Sequence, residues 1–324
     1  MLTGCGGARS GELVAIGAGL RGPVGARASI YATGLEHASA FAFDRRGRLW
    51  VTTSGASDHS SDALYVVPRR GARPMKVAGR LDGPLGLTWY RGTLYVASIG
   101  RVTAFSSLHG TRFATRRTIL RGPVVGASNN AIVATAAGRL LMSVSTTCDH
   151  CVPRSRWAAA VVSFRPDGSD LRIYATRIRA AFGLTLVPRS DELLATMNQR
   201  DDLGARTPGD WLALVRKGQD WGFPACYGQR GSACSGVPKP LAVLDKHAAA
   251  GGVTLSHGSA YVAEWQSGKV LRIRVERVHG GYRATRSTFV LGIDNPLPVI
   301  RSPGGEILVG DWSTGRVYAI TVGN

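Results

Sequence analysis

Short apolar runs, each broken by a turn carrying glycine, aspartate or arginine, recur along the whole chain. The clearest unit is an apolar strand, a polar turn and a second strand rich in aliphatic residues. It reads HASAFAFDRRGRLWVTTS from His37, GPLGLTWYRGTLYVAS from Gly83 and NNAIVATAAGRLLMSV from Asn129. It returns as AAFGLTLVPRSDELLATM from Ala180, AAGGVTLSHGSAYVAE from Ala249 and NPLPVIRSPGGEILVGD from Asn295. Corresponding positions in the second strands are Val51, Val96, Met142, Ala195, Val262 and Val309, spaced 45, 46, 53, 67 and 47 residues apart. Further strand-like runs follow each pair, as at residues 101–105 and 115–120 in the second unit. Four strands repeated six times at this period predict an all-β fold, a six-bladed β-propeller of four-stranded antiparallel blades. A pair of β-sandwiches would not produce six near-equal intervals, and amphipathic helical periodicity is missing. The prediction makes residues 12–324 one domain, closed by pairing the run 12–16 with the last blade near 316–321.

The 67-residue interval holds an excursion, 198–240, rich in Gly, Pro, Asp and Cys. Long ordered loops on a rigid scaffold tend to carry function. If the second strand of that unit runs near the axis, the loop lies over the central funnel.

Composition narrows the field without naming a partner. With 324 residues, 44% of them hydrophobic, the chain is long enough for a full core and is neither collagen-like, coiled-coil nor disordered. No apolar stretch is long enough for a membrane-spanning helix. Forty Lys and Arg against 21 Asp and Glu leave a formal charge of +19. That surplus favours anionic partners. The basic residues nevertheless fall in ones and twos, such as Arg45-Arg46, Arg69-Arg70 and Arg116-Arg117. A solvated basic surface, and no nucleic-acid partner, is the reading this scatter supports.

Cys148 and Cys151 form a CDHC element, while Cys226 and Cys234 sit together in the excursion. Two local disulfides, and hence an oxidising compartment, are expected. Free thiols and a zinc site using His150 remain open at this point, whereas c-type haem attachment fails because Val152 follows Cys151. The fifth cysteine, Cys5, closes Leu2-Thr3-Gly4-Cys5, which resembles a bacterial lipobox, although only four residues precede it. The resemblance implies lipidation at Cys5, a tether over residues 1–11, and an exported cell-surface or periplasmic protein that meets the membrane only through that anchor.

Residues 198–228, NQRDDLGARTPGDWLALVRKGQDWGFPACYG, resemble a stretch of the glucose/sorbosone dehydrogenase-like proteins, from RDDLG to the closing CYG. TRIRAAFGLTLVP at 176–188, GRLLMSVSTTCDHC at 138–151 and PLAVLDKHAAAGGVTL at 240–255 resemble its flanking motifs, so the similarity spans about residues 120–320. These are six-bladed propellers that bind pyrroloquinoline quinone (PQQ) and calcium. The resemblance implies a sugar dehydrogenase acting on the CH–OH or aldehyde group of an aldose or sorbosone-like substrate. Such chemistry needs a general base, cations around the quinone carboxylates and a divalent ion.

Carried onto this chain, the resemblance places Arg179 over the quinone, with Arg200 and Tyr227 also at the cofactor. It places calcium on main-chain carbonyls near Gly204, Ala205 and Arg206, with Asp201, Asp202 and Asp210 nearby. Several positions depart from the pattern. The catalytic His is replaced at Ala127 or Ser128, leaving His247 as the remaining base candidate. Ala180-Ala181 stands for Asn-Pro, Trp211 for Glu, Asn295 for Arg and Gln266 for Lys.

Blander roles compete at each site. Arg179 suits an inter-blade position, Asp201 and Asp202 suit turns, and Trp221, Phe223 and Tyr227 suit packing of the loop on itself. His150 is expected to be exposed, and Glu264 and Asp311 either face the funnel or cap strand ends. The alternative function is therefore a non-catalytic propeller of the same descent that binds a carbohydrate, a cell-wall polymer or a protein. A lactonase-type metal site is disfavoured, because the blade starts read HAS, GPL, ASN, AAF, AAG and NPL and offer no spread of carboxylates.

Overall fold

Alternation along the chain becomes strand pairing in the computed structural model, which describes residues 12–122, 128–188, 190, 192–279 and 281–322. The chain opens with β1 (Leu13–Gly17), β2 (Leu20–Pro23) and β3 (Arg27–Ala32). Blade one is β4 (Ala38–Phe43), β5 (Leu49–Thr53), β6 (Ala63–Val67) and β7 (Met75–Gly79). Blade two is β8 (Gly86–Tyr90), β9 (Thr93–Ser98), β10 (Arg101–His109) and β11 (Arg112–Arg121). Blade three is β12 (Asn129–Ala134), β13 (Leu140–Val144), β14 (Ala160–Phe164) and β15 (Arg172–Ala175). Blade four is β16 (Leu184–Leu186), β17 (Leu193–Met197), β18 (Gly209–Val215) and β19 (Ala242–Lys246). Blade five is β20 (Ala250–Ser256), β21 (Ser259–Glu264), β22 (Lys269–Val278) and β23 (Gly281–Leu291). Blade six combines β24 (Pro296–Arg301), β25 (Ile307–Asp311) and β26 (Val317–Thr321) with β3. The six-bladed propeller is as predicted.

Register follows the repeat. Phe41 pairs with Val51, Leu87 with Val96, Ile132 with Met142, Leu184 with Ala195, Val253 with Val262 and Val299 with Val309. All six second-strand positions are fully buried. The core is divided into six clusters, each between two neighbouring blades, so no blade buries both faces without the next one. Blades one and two meet through Trp50, Leu64, Leu94 and Phe105, and blades five and six through Tyr261, Phe289, Val309 and Tyr318. Each large side chain removed from water in this way contributes roughly 1.5–3 kcal/mol.

The first strand of every blade is innermost, and the inner strands approach closely. A Cβ on Gly86 would lie 2.2 Å from the Asn130 carbonyl oxygen, and one on Gly183 would lie 2.6 Å from that of Gly251. Buried hydroxyls tie blade to blade: Ser143 donates to the Ala181 carbonyl at 2.6 Å and Thr196 to that of Gly251 at 2.7 Å.

Ring closure differs from the sequence expectation. The partner of β26 is β3, with Tyr318 opposite Ile30 and Thr321 opposite Arg27. The run 12–16 falls in β1, which folds onto β2 through the turn Ala18-Gly19, both at positive φ (54° and 80°). Two positive φ values in a two-residue hairpin match strand twist and keep β1 and β2 together. That hairpin extends the outer edge of blade five through Arg21 and Leu291. Tyr31 and Ala32 of β3 instead fill the core between blades six and one.

The excursion 198–240 is divided by β18. Its first part, 198–208, follows the second strand of blade four; its second part leaves the end of β18 and runs alongside blade three, where Thr176 bridges Asp220. Both predicted cysteine pairs are disulfides, Cys148–Cys151 and Cys226–Cys234, which removes the thiol and zinc alternatives. Among the described residues no helix is long and apolar enough to cross a membrane. Cys5, with the segment 1–11, and Ala127 lie outside the described residues.

Candidate functional site

The six blades converge on an axial pit of about 360 Å³, to which every blade contributes. Its walls include the apolar Trp265, Trp312, Phe182, Leu85 and Leu297, with Ser54, Ser128, Asn198 and His59 among the polar residues. Trp265 and Trp312 meet edge to face at 5.8 Å, and the His37 ring packs against Trp312 with centroids 4.3 Å apart. The Trp312 indole N–H donates to the Ser54 carbonyl at 2.9 Å, and the Asn295 amide donates to the Trp265 carbonyl at 3.1 Å. Asn198 contributes a buried side-chain oxygen with no hydrogen-bond partner.

Carboxylates build the rim from outside the pit. Asp62 is buried and receives the Gly55 and Gly83 N–H groups at 2.8 and 2.6 Å and the His59 Nδ1 at 2.9 Å. In the neutral ring, Nδ1–H donated to the carboxylate leaves Nε2 of His59 as an acceptor. Asp311 receives the N–H groups of Asn295 and Ser313 and the Thr314 hydroxyl. Glu264 receives the Asp245 N–H at 3.0 Å and lies 3.5 Å from Lys269, while burial pushes its carboxyl up. Asp311 caps the loop that presents Trp312, whereas Glu264, beside Trp265, ties the end of β21 to Asp245 of blade four and to Lys269. Sequence reasoning left the roles of Glu264 and Asp311 open and missed Trp265 and Trp312. The signal was present in two units, as Glu264-Trp265 and Asp311-Trp312 at the end of the second strand.

The residues predicted to hold the quinone lie beside this pit and are already paired. The Arg179 side chain is 15% exposed and forms an ion pair with Asp149. It also donates to the Asp149 carbonyl at 2.9 Å and the Asn198 carbonyl at 3.3 Å. The Asp149 carboxylate in turn receives the N–H groups of Asp201 and Asp202, each at 3.2 Å. Asp149 lies between Cys148 and Cys151, so the disulfide loop presents the clamp. Arg200, 9% exposed at its side chain, forms a fork to Asp202 at 2.6 and 2.5 Å and stacks 4.6 Å over Tyr227. The hydrogen bond from Arg200 pulls the Asp202 carboxyl down to about 2. Trp221 and Phe223, within the second part of the excursion, are buried, consistent with packing. His150 is exposed, as expected, with Nε2 3.1 Å from the Pro224 carbonyl.

The predicted calcium carbonyls face the Lys246 ammonium and the His247 ring instead. Ala205 accepts from the Lys246 ammonium at 3.0 Å, and Gly204 lies 3.2 Å from His247 Nε2. His247 Nδ1 is 3.0 Å from Asp201, so the ring bridges a carboxylate and a carbonyl, and both contacts are donations only in the imidazolium form. Asp210 is buried, receives the Gln199 and Ala250 N–H groups at 2.8 and 3.0 Å, and is pushed up to about 6 by burial. Among the described residues no group of three or more His, Cys, Asp or Glu side chains is arranged to hold a metal. This loop does not fit calcium. Nor does the pit fit a polyanionic quinone, because among the described residues no arginine or lysine lines it and its histidine is bound to Asp62. His247 does not border the pit; Ser128, at the position of the expected base, does.

No family model and no curated protein matches the chain. Solved structures do. The PQQ-bound aldose sugar dehydrogenase of Streptomyces coelicolor is similar at 18% identity and TM-score 0.75, over 92% of this chain and 99% of that one. The fold is that of the PQQ-binding sugar dehydrogenases. The holo PQQ domain of pyranose dehydrogenase from Coprinopsis cinerea has TM-score 0.78 at 15% identity, over 94% of this chain and 97% of that one. The soluble aldose sugar dehydrogenase of Escherichia coli, in its apo form, has TM-score 0.72 at 14% identity, over 91% and 99%. These neighbours are of the kind that the 198–228 motif resembles, and at such identities it is the scaffold that carries over.

Proposed function

We propose that this chain is a sugar-binding propeller built on the sugar-dehydrogenase scaffold, taking an uncharged sugar in the axial pit. The observation that carries this reading is the pit's lining: two tryptophans, one unpaired amide oxygen and one histidine, with the guanidiniums of Arg179 and Arg200 beside it tied to carboxylates. Indole faces cover the C–H face of a sugar ring, and the volume lies at the small end of the range for ligand pockets. Asn198 Oδ1 and His59 Nε2 accept hydroxyl protons, and Ser128 supplies a hydroxyl. An extracytoplasmic location fits the two disulfides; anchoring at Cys5, with 1–11 as a tether, belongs to the same proposal.

Calorimetric titration with a panel of aldoses, ketoses and short oligosaccharides tests this reading. At least one saccharide binds without added cofactor, and Trp312→Ala weakens it by about thirtyfold, the effect of losing a contact worth about 2 kcal/mol. Failure of every saccharide to bind rejects the proposal.

A second reading keeps the dehydrogenase activity with PQQ and calcium. What favours it is the likeness to the PQQ-bound Streptomyces enzyme together with the retention of Arg179, whose guanidinium reaches the carbonyl of the pit residue Asn198. On this reading the Asp149–Arg179 pair must open to admit the cofactor, and reduction of a dye by an aldose in the presence of PQQ and calcium separates the two.

A further inference from the structure

On the face opposite the axial pit, blades one and two enclose a second cavity of about 670 Å³. It is bounded by the turns that join β4 to β5, β8 to β9 and β10 to β11. Phe43 and Trp89 border both this cavity and the lower end of the axial channel, so its floor continues the apolar surface of the axis. Leu108 and the ring of Tyr90 complete that floor, and the Trp89 indole N–H is buried without a hydrogen-bond partner.

Four arginines surround it: Arg45, Arg46, Arg48 and Arg91. Arg48 is committed, with Nε 2.7 Å from Asp44 and Nη1 2.5 Å from the Gly110 carbonyl. Asp44 is the cavity's carboxylate and it is saturated, receiving the Trp50 indole at 2.9 Å and the Arg46 and Arg48 N–H groups at 2.9 and 3.1 Å. Burial alone would raise that carboxyl, but the bonds from Trp50 and Arg48 bring it below its ordinary value. The guanidiniums of Arg45, Arg46 and Arg91 have no carboxylate partner among the described residues, and Arg91 stacks 5.2 Å from Tyr90. Three exposed cations thus converge on one apolar floor, independently of the axial pit.

We infer that this cavity binds an amphipathic organic acid. Its aromatic or aliphatic body lies on Trp89, Phe43 and Leu108, and its anionic head lies among Arg45, Arg46 and Arg91. A bare inorganic anion would leave the floor in water, and a neutral apolar ligand would leave the guanidiniums without a counter-charge.

The test uses 2-naphthoate, 2-naphthol and inorganic phosphate as probes in calorimetric titrations of the full chain. The naphthoate binds one to one, about tenfold or more tighter than 2-naphthol, as a charge-assisted hydrogen bond of about 1.5–3 kcal/mol requires, and tighter than phosphate, which buries none of the apolar floor. The triple variant Arg45→Ala/Arg46→Ala/Arg91→Ala, whose changes are all on exposed turns, loses that preference while its circular dichroism stays native. Trp265→Ala, in the axial pit, leaves naphthoate binding unchanged. Equal naphthoate affinity in the triple variant, or phosphate bound as tightly as naphthoate, overturns the inference.

Discussion

The carboxylate of Asp149 holds the guanidinium of Arg179 in an ion pair, thirty residues away in sequence and across the junction of blades three and four. The same carboxylate holds the N–H groups of Asp201 and Asp202, so one side chain fixes both a blade entrance and the start of the long excursion. The arginine that the motif resemblance assigns to an anionic cofactor is thereby supplied with its anion by the protein.

Removing that anion leaves a mostly buried guanidinium uncompensated. Asp149→Ala is expected to destabilise the fold by about 2–4 kcal/mol, whereas Asp149→Glu recovers part of the loss. Thermal and urea unfolding followed by circular dichroism measures both.

Lys246 and His247 stand where a calcium ion would need bare carbonyls. A ligand that binds only the folded state at a hundred times its dissociation constant adds about 2.7 kcal/mol to stability. Neither millimolar calcium nor a chelator is therefore expected to move the melting temperature. A calcium-dependent rise, or metal retained through dialysis, would show that the loop opens to the ion.

Asp210 gives a pH dependence of definite sign. Its carboxyl is pushed up to about 6 in the fold from an ordinary value of 3.8. Between those values the native state binds a proton that the unfolded chain does not, so this residue's contribution to stability rises as pH falls from about 6.5 to 4. The total is at most about 3 kcal/mol. Unfolding at pH 7 and pH 5 should show a relative gain at the lower pH in the wild type that Asp210→Asn lacks. An identical pH profile in the two proteins contradicts the assignment.

How far the sequence foretold the molecule depends on the range of the interaction. The blades were legible because Val51, Val96, Met142, Ala195, Val262 and Val309 occupy one buried position in a repeated pattern. Local disulfides were legible from spacing. Ring closure was not, since 12–16 and β3 both alternate as strands and the choice turns on Ala18-Gly19, where alanine hides a positive-φ turn. The site was legible only as a place. Motifs located Arg179, Arg200 and the loop at 201–206, and the Arg200 partner Asp202 lies within them, but Asp149 and Lys246, the partners of Arg179 and of the Ala205 carbonyl, come from another blade or a later strand, and such pairings leave no local pattern. The tryptophans of the pit repeat as an acid followed by Trp in two units, a signal overshadowed by the stronger excursion motif.

Titration of the purified protein with PQQ and calcium, followed by quinone absorbance and then by dye reduction with aldoses, addresses the central claim most directly. The paired guanidiniums, and a pit lined by no arginine or lysine among the described residues, predict no saturable quinone binding and no dye reduction. Stoichiometric binding accompanied by aldose-dependent reduction would contradict the account.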